Sequence, residues 1–279
     1  MSFIAIIGAG ATGGAIAHKV ASRDRVAEIR LIDEAAPIAR GKALDIQQSA
    51  PLEGFRTRVT AEADVAAAAG AAAIVLADQA GGQGEHAGEP GLALLRRLTR
   101  IETRAPILFA GVSQCELMAR TVSELHVDPK RLLGSAPLAL ESALRALAGL
   151  LIDASGVEVS LRIVGIPPGH AVVLWEEASA FGQPLSSELP PHDIAGLAAR
   201  IPGLWPPGPY ALASAAARVA EAMVNGSRRR YSCFVPLGRG VVAAMPVEVG
   251  EDGALRVFEP ALTRQERTRL ENALELKRR

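Results

Sequence analysis

Three glycines near the beginning of the chain have the spacing of a phosphate-binding loop. Gly8, Gly10 and Gly13 lie between an apolar run and a helical pattern in FIAIIGAGATGGAIAHKV. In such a loop the first glycine permits a tight turn, the second lets a diphosphate approach the backbone, and the third lets helix and strand pack closely. Free backbone amides of the first helical turn, around Ala11 and Thr12, then face the phosphates. The segment predicts a dinucleotide site, and a glycine-rich turn without a ligand is the alternative.

An acid at the end of the second apolar run bears on which dinucleotide would bind. The run IRLID ends in Asp33. A carboxylate at this place accepts hydrogen bonds from both ribose hydroxyls and repels a 2′-phosphate, which favours NAD over NADP. Ala77 closes the run AIVLA and is expected to face the same cofactor. The alternative is an exposed Asp33 that binds nothing.

The order of apolar runs predicts the elements that position these residues. Up to about residue 136, short apolar runs alternate with helical patterns, which predicts a doubly wound parallel sheet of the Rossmann type. Beyond it, a long helical segment is followed by VEVSLRIVG, which alternates as a half-buried antiparallel strand does. We therefore expect an α/β protein with an NAD-binding domain over residues 1–136 and an α+β substrate domain over residues 137–279.

Composition restricts the class of protein. The 279 residues carry 30 basic and 30 acidic side chains, which argues against a nucleic acid or an anionic membrane as a partner. The short basic run RRRY (228–231) is expected at a solvated helix end rather than in a binding patch. Cys115 and Cys233 have no metal-ligand spacing and are expected to be buried thiols. The longest apolar stretch (65–77) is too short to span a bilayer, and the N-terminus lacks signal-peptide features. We expect a cytoplasmic protein.

Longer segments resemble the lactate/malate dehydrogenase family over nearly the whole chain. GKALDIQQSAPLEGFRTRVT is similar to the segment after the second strand of that family and is more specific than the glycine loop. Further similar segments are IRLIDE, LWEEASAFGQPL, GPYALASAAARVAEAM and PVEVGEDGALRVFEPALTRQERTRLENA. The resemblance implies NAD-dependent hydride transfer on a small 2-hydroxy acid. It also implies a homodimer or homotetramer, with an interface helix at IARGKALDIQQSA.

The reaction implied by this resemblance needs an imidazole to accept the hydroxyl proton and a carboxylate to orient it. The D-x-x-R helix of the family corresponds to LALESALRAL. One register places Glu141 at the acid and Leu144 at the arginine; the other places Leu140 and Ala143 there. Either way the arginine that grips the substrate carboxylate is absent. Glu141 is the candidate partner of the catalytic histidine, and a surface ion pair with Arg145 is the alternative.

The histidine motif G-x-H-G-D departs from the family as well. Counting back from Trp175 places Pro167 at the histidine, whereas the segment IPPGH supplies His170 three residues later. His170 reaches the site only if the loop is rebuilt around its proline turn. We therefore expect His170 to be either the catalytic acid/base or a solvent-facing loop histidine.

The mobile loop of the family, R-K-P-G-x-x-R, corresponds to residues 78–95. Its arginine positions fall on Glu85 and Gly91, and the loop carries Asp78 and Glu89 as further acids. The retained glycines predict a mobile loop, and its acids would repel a dicarboxylate substrate. His86 is either a substitute hydrogen-bond donor or, as the alternative, a solvated loop histidine.

Two further motifs are altered, and together the changes leave two functions open. Ser113 and Glu116 replace the asparagine and aspartate of the family motif N-P-V-D, and Pro206, Pro207 and Gly208 occupy a trimmed region near the substrate. The favoured hypothesis is an NAD-dependent dehydrogenase whose substrate is not ordinary malate or lactate, because His170 remains close to the position of the catalytic histidine in the family. The other is a catalytically degenerate NAD-binding member that acts as a sensor or interaction protein. A folded domain with neither property is a third, blander interpretation.

Overall fold

The computed structural model describes residues 2–101 and 104–276. Within these residues an eleven-stranded sheet forms the centre of the molecule, with the order β11-β10-β15-β14-β8-β7-β4-β1-β2-β3 and with β16 paired to β15. The strands of this sheet are β1 (Phe3–Ile7), β2 (Glu28–Ile32), β3 (Arg58–Glu62), β4 (Ala73–Leu76), β7 (Ile107–Phe109), β8 (Leu132–Gly134), β10 (Ile163–Ile166), β11 (His170–Val173), β14 (Arg229–Pro236), β15 (Val242–Gly250) and β16 (Gly253–Val257). Five two-residue strands lie outside it: β5 (Asp78–Gln79), β6 (Gly84–Glu85), β9 (Val159–Ser160), β12 (Ser179–Ala180) and β13 (Gln183–Pro184).

Six strands of the sheet are parallel, namely β1, β2, β3, β4, β7 and β8, and their carboxyl ends lie at one level. Ile7 pairs with Ile32 and with Leu76, Leu76 pairs with Phe109, and Phe109 pairs with Gly134. This register brings the residues that follow β1, β2, β4 and β7 to a common edge, where ligands bind in open α/β sheets. The predicted Rossmann α/β fold is confirmed.

Helices cover both faces of the parallel strands. The helices are α1 (Ala11–Ser22), α2 (Ala36–Glu53), α3 (Gly88–Arg100), α4 (Cys115–Leu125), α5 (Ala136–Leu151), α6 (Leu185–Glu188), α7 (Pro191–Arg200), α8 (Pro209–Val224) and α9 (Arg264–Leu276). Ile16 of α1 and Ala216 of α8 belong to one apolar cluster with Val75 of β4. Leu95 of α3 and Leu117 of α4 belong to the cluster on the other face. None of the helices in the described ranges is both long and apolar enough to cross a membrane.

The sheet continues beyond the expected domain boundary at residue 136. Phe234 of β14 pairs with Gly134 of β8, so the antiparallel strands of the second half extend the parallel half. The division into two domains stays a prediction. The basic run RRRY does not end a helix as expected: Arg229 begins β14, and the chain leaves α8 five residues earlier, at Val224. Cys233 of β14 is buried as expected, whereas Cys115 is half-buried.

Candidate dinucleotide cleft and catalytic positions

The turn between β1 and α1 requires the glycines that the sequence places there. Gly8 has a φ of +105°, and a Cβ atom on it would overlap the carbonyl oxygen of Asp78. A Cβ atom on Gly13 would overlap the carbonyl oxygen of Gly8. Side chains other than hydrogen are therefore excluded at both places by the backbone itself.

The amides that were predicted to face phosphate instead face a carboxylate of the same chain. Asp78, directly after β4 and Ala77, accepts hydrogen bonds from the amides of Thr12 (3.1 Å) and Gly13 (2.8 Å). A Cβ atom on Gly10 would overlap this carboxylate. The amide of Gly10 also donates to the backbone oxygen of Asp78 at 2.9 Å. Asp78 thus caps the N-terminus of α1, where a negative charge is favoured by the free amides and the helix dipole.

Asp33 lies at the end of β2, as predicted, and joins three backbone segments. Its Oδ2 atom accepts from the amides of Ala9 (2.8 Å) and Ala80 (2.9 Å), and its Oδ1 atom accepts from Ala35 (2.9 Å). An ionised carboxylate has about four acceptor positions, so about one remains for a ribose hydroxyl. Asp33 has a structural role that does not depend on a ligand.

A cavity of about 260 Å³ opens beside Asp33 and is also lined by Gly8 and His86. His86 is half-buried rather than solvated, and burial lowers its imidazole pKa, although the nearby Asp33, Glu34 and Asp78 oppose the shift. Its buried Nε2 atom finds no hydrogen-bond partner within the described residues. These residues fit the ribose end of NAD. The diphosphate does not fit while Asp78 holds the amides of α1.

The expected mobile loop is a short hairpin anchored at both ends. We call residues 78–87 the acidic loop; in it β5 pairs with β6, so that Asp78 lies opposite Glu85. Glu85 accepts from the amides of Val112 (2.8 Å) and Ser113 (2.9 Å), just after β7. A Cβ atom on Gly111 would overlap the Glu85 carboxylate. Two carboxylates of one hairpin therefore cover the carboxyl ends of β1 and β7.

Glu141 is buried in α5, and the hydrogen-bond partner of its carboxylate is a serine and not a histidine. Its Oε2 atom accepts from the hydroxyl of Ser232 at 2.7 Å, and it is 8% exposed. Burial raises the pKa of this carboxyl to about 7, against the lowering effects of the Ser232 hydrogen bond, Arg162 and Arg145. The surface ion pair with Arg145 is not formed, since the Arg145 Nε donates to the backbone oxygen of Val159 at 2.6 Å.

The structure does not bring His170 and Glu141 together. His170 is exposed at the start of β11, the terminal strand of the sheet, where it pairs with Ile166 of β10. Among the described residues no hydrogen bond or ion pair joins it to a carboxylate. Pro167, at the position that the family motif gives to histidine, is buried in the hairpin turn. A carboxylate–imidazole pair is therefore absent from this part of the described chain.

The substrate-binding positions contain no cation in either register. Leu144 is fully buried in the apolar cluster that α5 forms with Leu161 and Ile163, and Ala143 is half-buried beside it. Ser113 contributes its amide to Glu85, and Glu116 is exposed at the start of α4. Pro206, Pro207 and Gly208 form the segment before α8. These positions offer no guanidinium for a substrate carboxylate.

Sequence reasoning included Asp78 only as one of several acids in a mobile loop. Its position was the available signal, because a residue that directly follows β4 lies at the same sheet edge as the glycine loop after β1. Glu85 carried no such signal, since its contact with the amides after β7 depends on how the hairpin folds.

Known proteins resemble the chain along almost its full length, although no family model matches it. Malate dehydrogenase of Dehalococcoides mccartyi (strain CBDB1) is 27% identical over 310 aligned positions, which cover 99% of this chain and 97% of that protein. L-lactate dehydrogenase A of Rhizopus oryzae is 27% identical over 297 positions, covering 98% and 90% of the two chains.

Solved structures share the fold. Lactate dehydrogenase of Cryptosporidium parvum, complexed with lactic acid and nicotinamide adenine dinucleotide, superposes with a TM-score of 0.86 at 21% identity, covering 99% of this chain and 95% of that one. Apo malate dehydrogenase of Picrophilus torridus gives a TM-score of 0.84 at 19% identity, covering 99% and 95%. With its Rossmann sheet and its glycine turn, the chain resembles the lactate/malate dehydrogenases from end to end, at low sequence identity.

Proposed function

We propose that the protein is a catalytically degenerate NAD-binding member of the lactate/malate dehydrogenase family, which binds the dinucleotide weakly because its own acidic loop competes for the phosphate site. The carboxylate of Asp78 on the amides of Thr12 and Gly13 is the observation that carries the proposal. Such a protein acts as a sensor or an interaction partner rather than as a dehydrogenase.

The proton-transfer groups support loss of turnover. General acid–base catalysis needs a group within hydrogen-bond reach of the reacting hydroxyl, held in the right orientation. Pro167 has no such group, His170 is exposed on a terminal strand, and Glu141 is bonded to Ser232. Groups that act as a unit lose their effect together, so the acid alone contributes little.

Electrostatics supports weak binding of the dinucleotide. Two unit charges 4 Å apart repel by about 1 kcal/mol in water and about 4 kcal/mol at the effective dielectric constant near a protein surface. A diphosphate at the N-terminus of α1 either meets this repulsion from Asp78 or displaces its two amide hydrogen bonds. In both cases the predicted NAD affinity falls by at least about tenfold.

An active NAD-dependent dehydrogenase is the second candidate. The similarity over 99% of the chain to a protein named malate dehydrogenase favours it. This candidate requires the acidic loop to swing out and His170 to turn toward the cleft. Its substrate would be a hydroxy compound without a carboxylate that needs an arginine, because the position of that arginine holds Leu144 in one register and Ala143 in the other.

Turnover assays separate the two candidates. Purified protein is mixed with NAD and a panel of 2-hydroxy acids and uncharged alcohols, and NADH formation is followed by absorbance. We expect no turnover by the wild type or by Asp78→Asn, since removing the loop charge restores access but no proton acceptor. Saturable turnover that His170→Ala abolishes would establish the dehydrogenase instead.

Self-association as a homodimer or homotetramer is part of the proposal. Three large apolar side chains of α2 are exposed, namely Ile38 (41%), Leu44 (59%) and Leu52 (92%). At 100° per residue they lie within an arc of about 120°, which suits a covered helix face. Sedimentation of the wild type and of Leu44→Glu tests this, with dissociation expected in the variant. A monomeric wild type would contradict it.

A further inference from the structure

A second and larger cavity, of about 660 Å³, lies between α5, α8 and β14. We call it the arginine cavity, because six arginines line it: Arg23, Arg145, Arg162, Arg218, Arg229 and Arg230. Among the described residues that line the cavity, Glu141 is the single acid. The chain as a whole has no net charge, so this concentration of positive charge is local.

Three of the six arginines already have partners. Arg23 pairs with Glu221 of α8 at 3.0 Å, and Arg145 donates to the backbone oxygen of Val159. The guanidinium of Arg230 lies 3.9 Å from the centre of the Phe258 ring. These contacts hold the walls of the cavity but leave its remaining charge unbalanced.

The other three guanidinium groups have no carboxylate within 4.0 Å among residues 2–101 and 104–276; they belong to Arg162, Arg218 and Arg229. They come from three separate segments, namely the chain before β10, α8 and β14. Arg162 is near enough to Glu141 to lower its pKa. Arg218 and Arg229 lower the pKa of Tyr231 in the same way, and Arg229 also hydrogen-bonds to the Tyr231 side chain. The unpaired charges therefore converge on one space from different elements.

Convergent guanidinium groups are suited to oxyanions. Each planar fork donates two parallel hydrogen bonds to a phosphate or a carboxylate. Hydroxyl groups of Ser142, Ser160 and Ser214 also line the cavity and supply further donors. An anion of single charge would leave two of the three arginines uncompensated. From this geometry we propose that the arginine cavity binds a small anion with at least two charged phosphate or carboxylate groups.

Calorimetric titration with pyrophosphate and, separately, with citrate tests the proposal. We expect saturable binding of at least one of them to the wild type, with a Kd below about 1 mM at about 0.1 M salt. Arg218→Gln combined with Arg229→Gln should weaken binding at least about tenfold. The pair Arg218→Lys and Arg229→Lys should retain part of it, because the charge stays. Arg239→Gln, an exposed arginine in the turn after β14, is the matched control and should bind as the wild type does.

The two probes distinguish the source of the oxyanion. Tighter binding of pyrophosphate would identify phosphorylated compounds, and tighter binding of citrate would identify polycarboxylates. Binding of neither would overturn the proposal. It would also be overturned if binding persisted in the arginine double variant and strengthened in Asp78→Asn, because the anion would then occupy the glycine turn. The proposal does not depend on the dinucleotide cleft, so a failure here leaves the NADH experiments unaffected.

Discussion

Replacing Glu141 by glutamine should remove a pH-dependent loss of stability. Burial raises the pKa of this carboxyl from 4.5 to about 7. The folded protein therefore holds a proton at Glu141 that the unfolded chain releases, and folding stability falls as the pH rises through this window. A pKa shift of this size corresponds to about 3 kcal/mol of folding free energy. This stabilisation is lost completely only above the pKa of the folded state. Glutamine cannot ionise and can still accept the Ser232 hydrogen bond.

Urea unfolding at about pH 5 and about pH 8 measures this effect. The unfolding free energy of Glu141→Gln minus that of the wild type should rise by about 2–3 kcal/mol between the two pH values. Other titrating groups are common to both proteins and cancel in the difference. Glu116→Gln, at an exposed glutamate, is the control and should give a flat difference. A flat difference for Glu141→Gln as well would refute the account of this buried acid.

Three further substitutions have expected outcomes. Gly13→Ala should lower the unfolding free energy by about 1–3 kcal/mol, because its Cβ atom would overlap the carbonyl of Gly8; an unchanged urea midpoint would contradict the close packing of this turn. Asp33→Ala leaves three backbone amides without their acceptor and should cost about 1–3 kcal/mol in the absence of any ligand. If its midpoint matches that of the wild type, Asp33 serves a ligand alone. His170→Ala removes an exposed side chain and should change stability by less than about 0.5 kcal/mol; a larger loss would show a contact that the fold does not explain.

Strong local patterns allowed much of the fold to be predicted. The run FIAII coincides with β1, and the antiparallel strand predicted in VEVSLRIVG (157–165) overlaps β9 and β10. The strand β3 was missed because it is at the edge of the sheet, and of its five residues only Val59 is buried. Its sequence, RVTAE, has too little apolar alternation to identify a strand.

The site could be predicted from the sequence at positions where the backbone leaves room for glycine alone. Gly8 has a positive φ angle, and Gly13 is required by the carbonyl of Gly8 in the same turn, which sequence spacing reveals. The contact between Asp78 and α1 joins residues more than sixty positions apart, so it depends on the parallel register. The loop glycines predict mobility, which stays a prediction. In the structure Gly81, Gly82 and Gly84 adopt positive φ angles in the hairpin that contains Asp78 and Glu85.

The most direct test of the central claim is an NADH titration, followed by nicotinamide fluorescence, of the wild type and of Asp78→Asn. Glu89→Gln serves as the matched control, because Glu89 is an acid close to the same loop that pairs with Arg120 on the surface. We predict weak binding to the wild type and to Glu89→Gln, and binding at least about tenfold tighter to Asp78→Asn at low salt. Tight, saturable binding to the wild type that Asp78→Asn leaves unchanged would contradict the account.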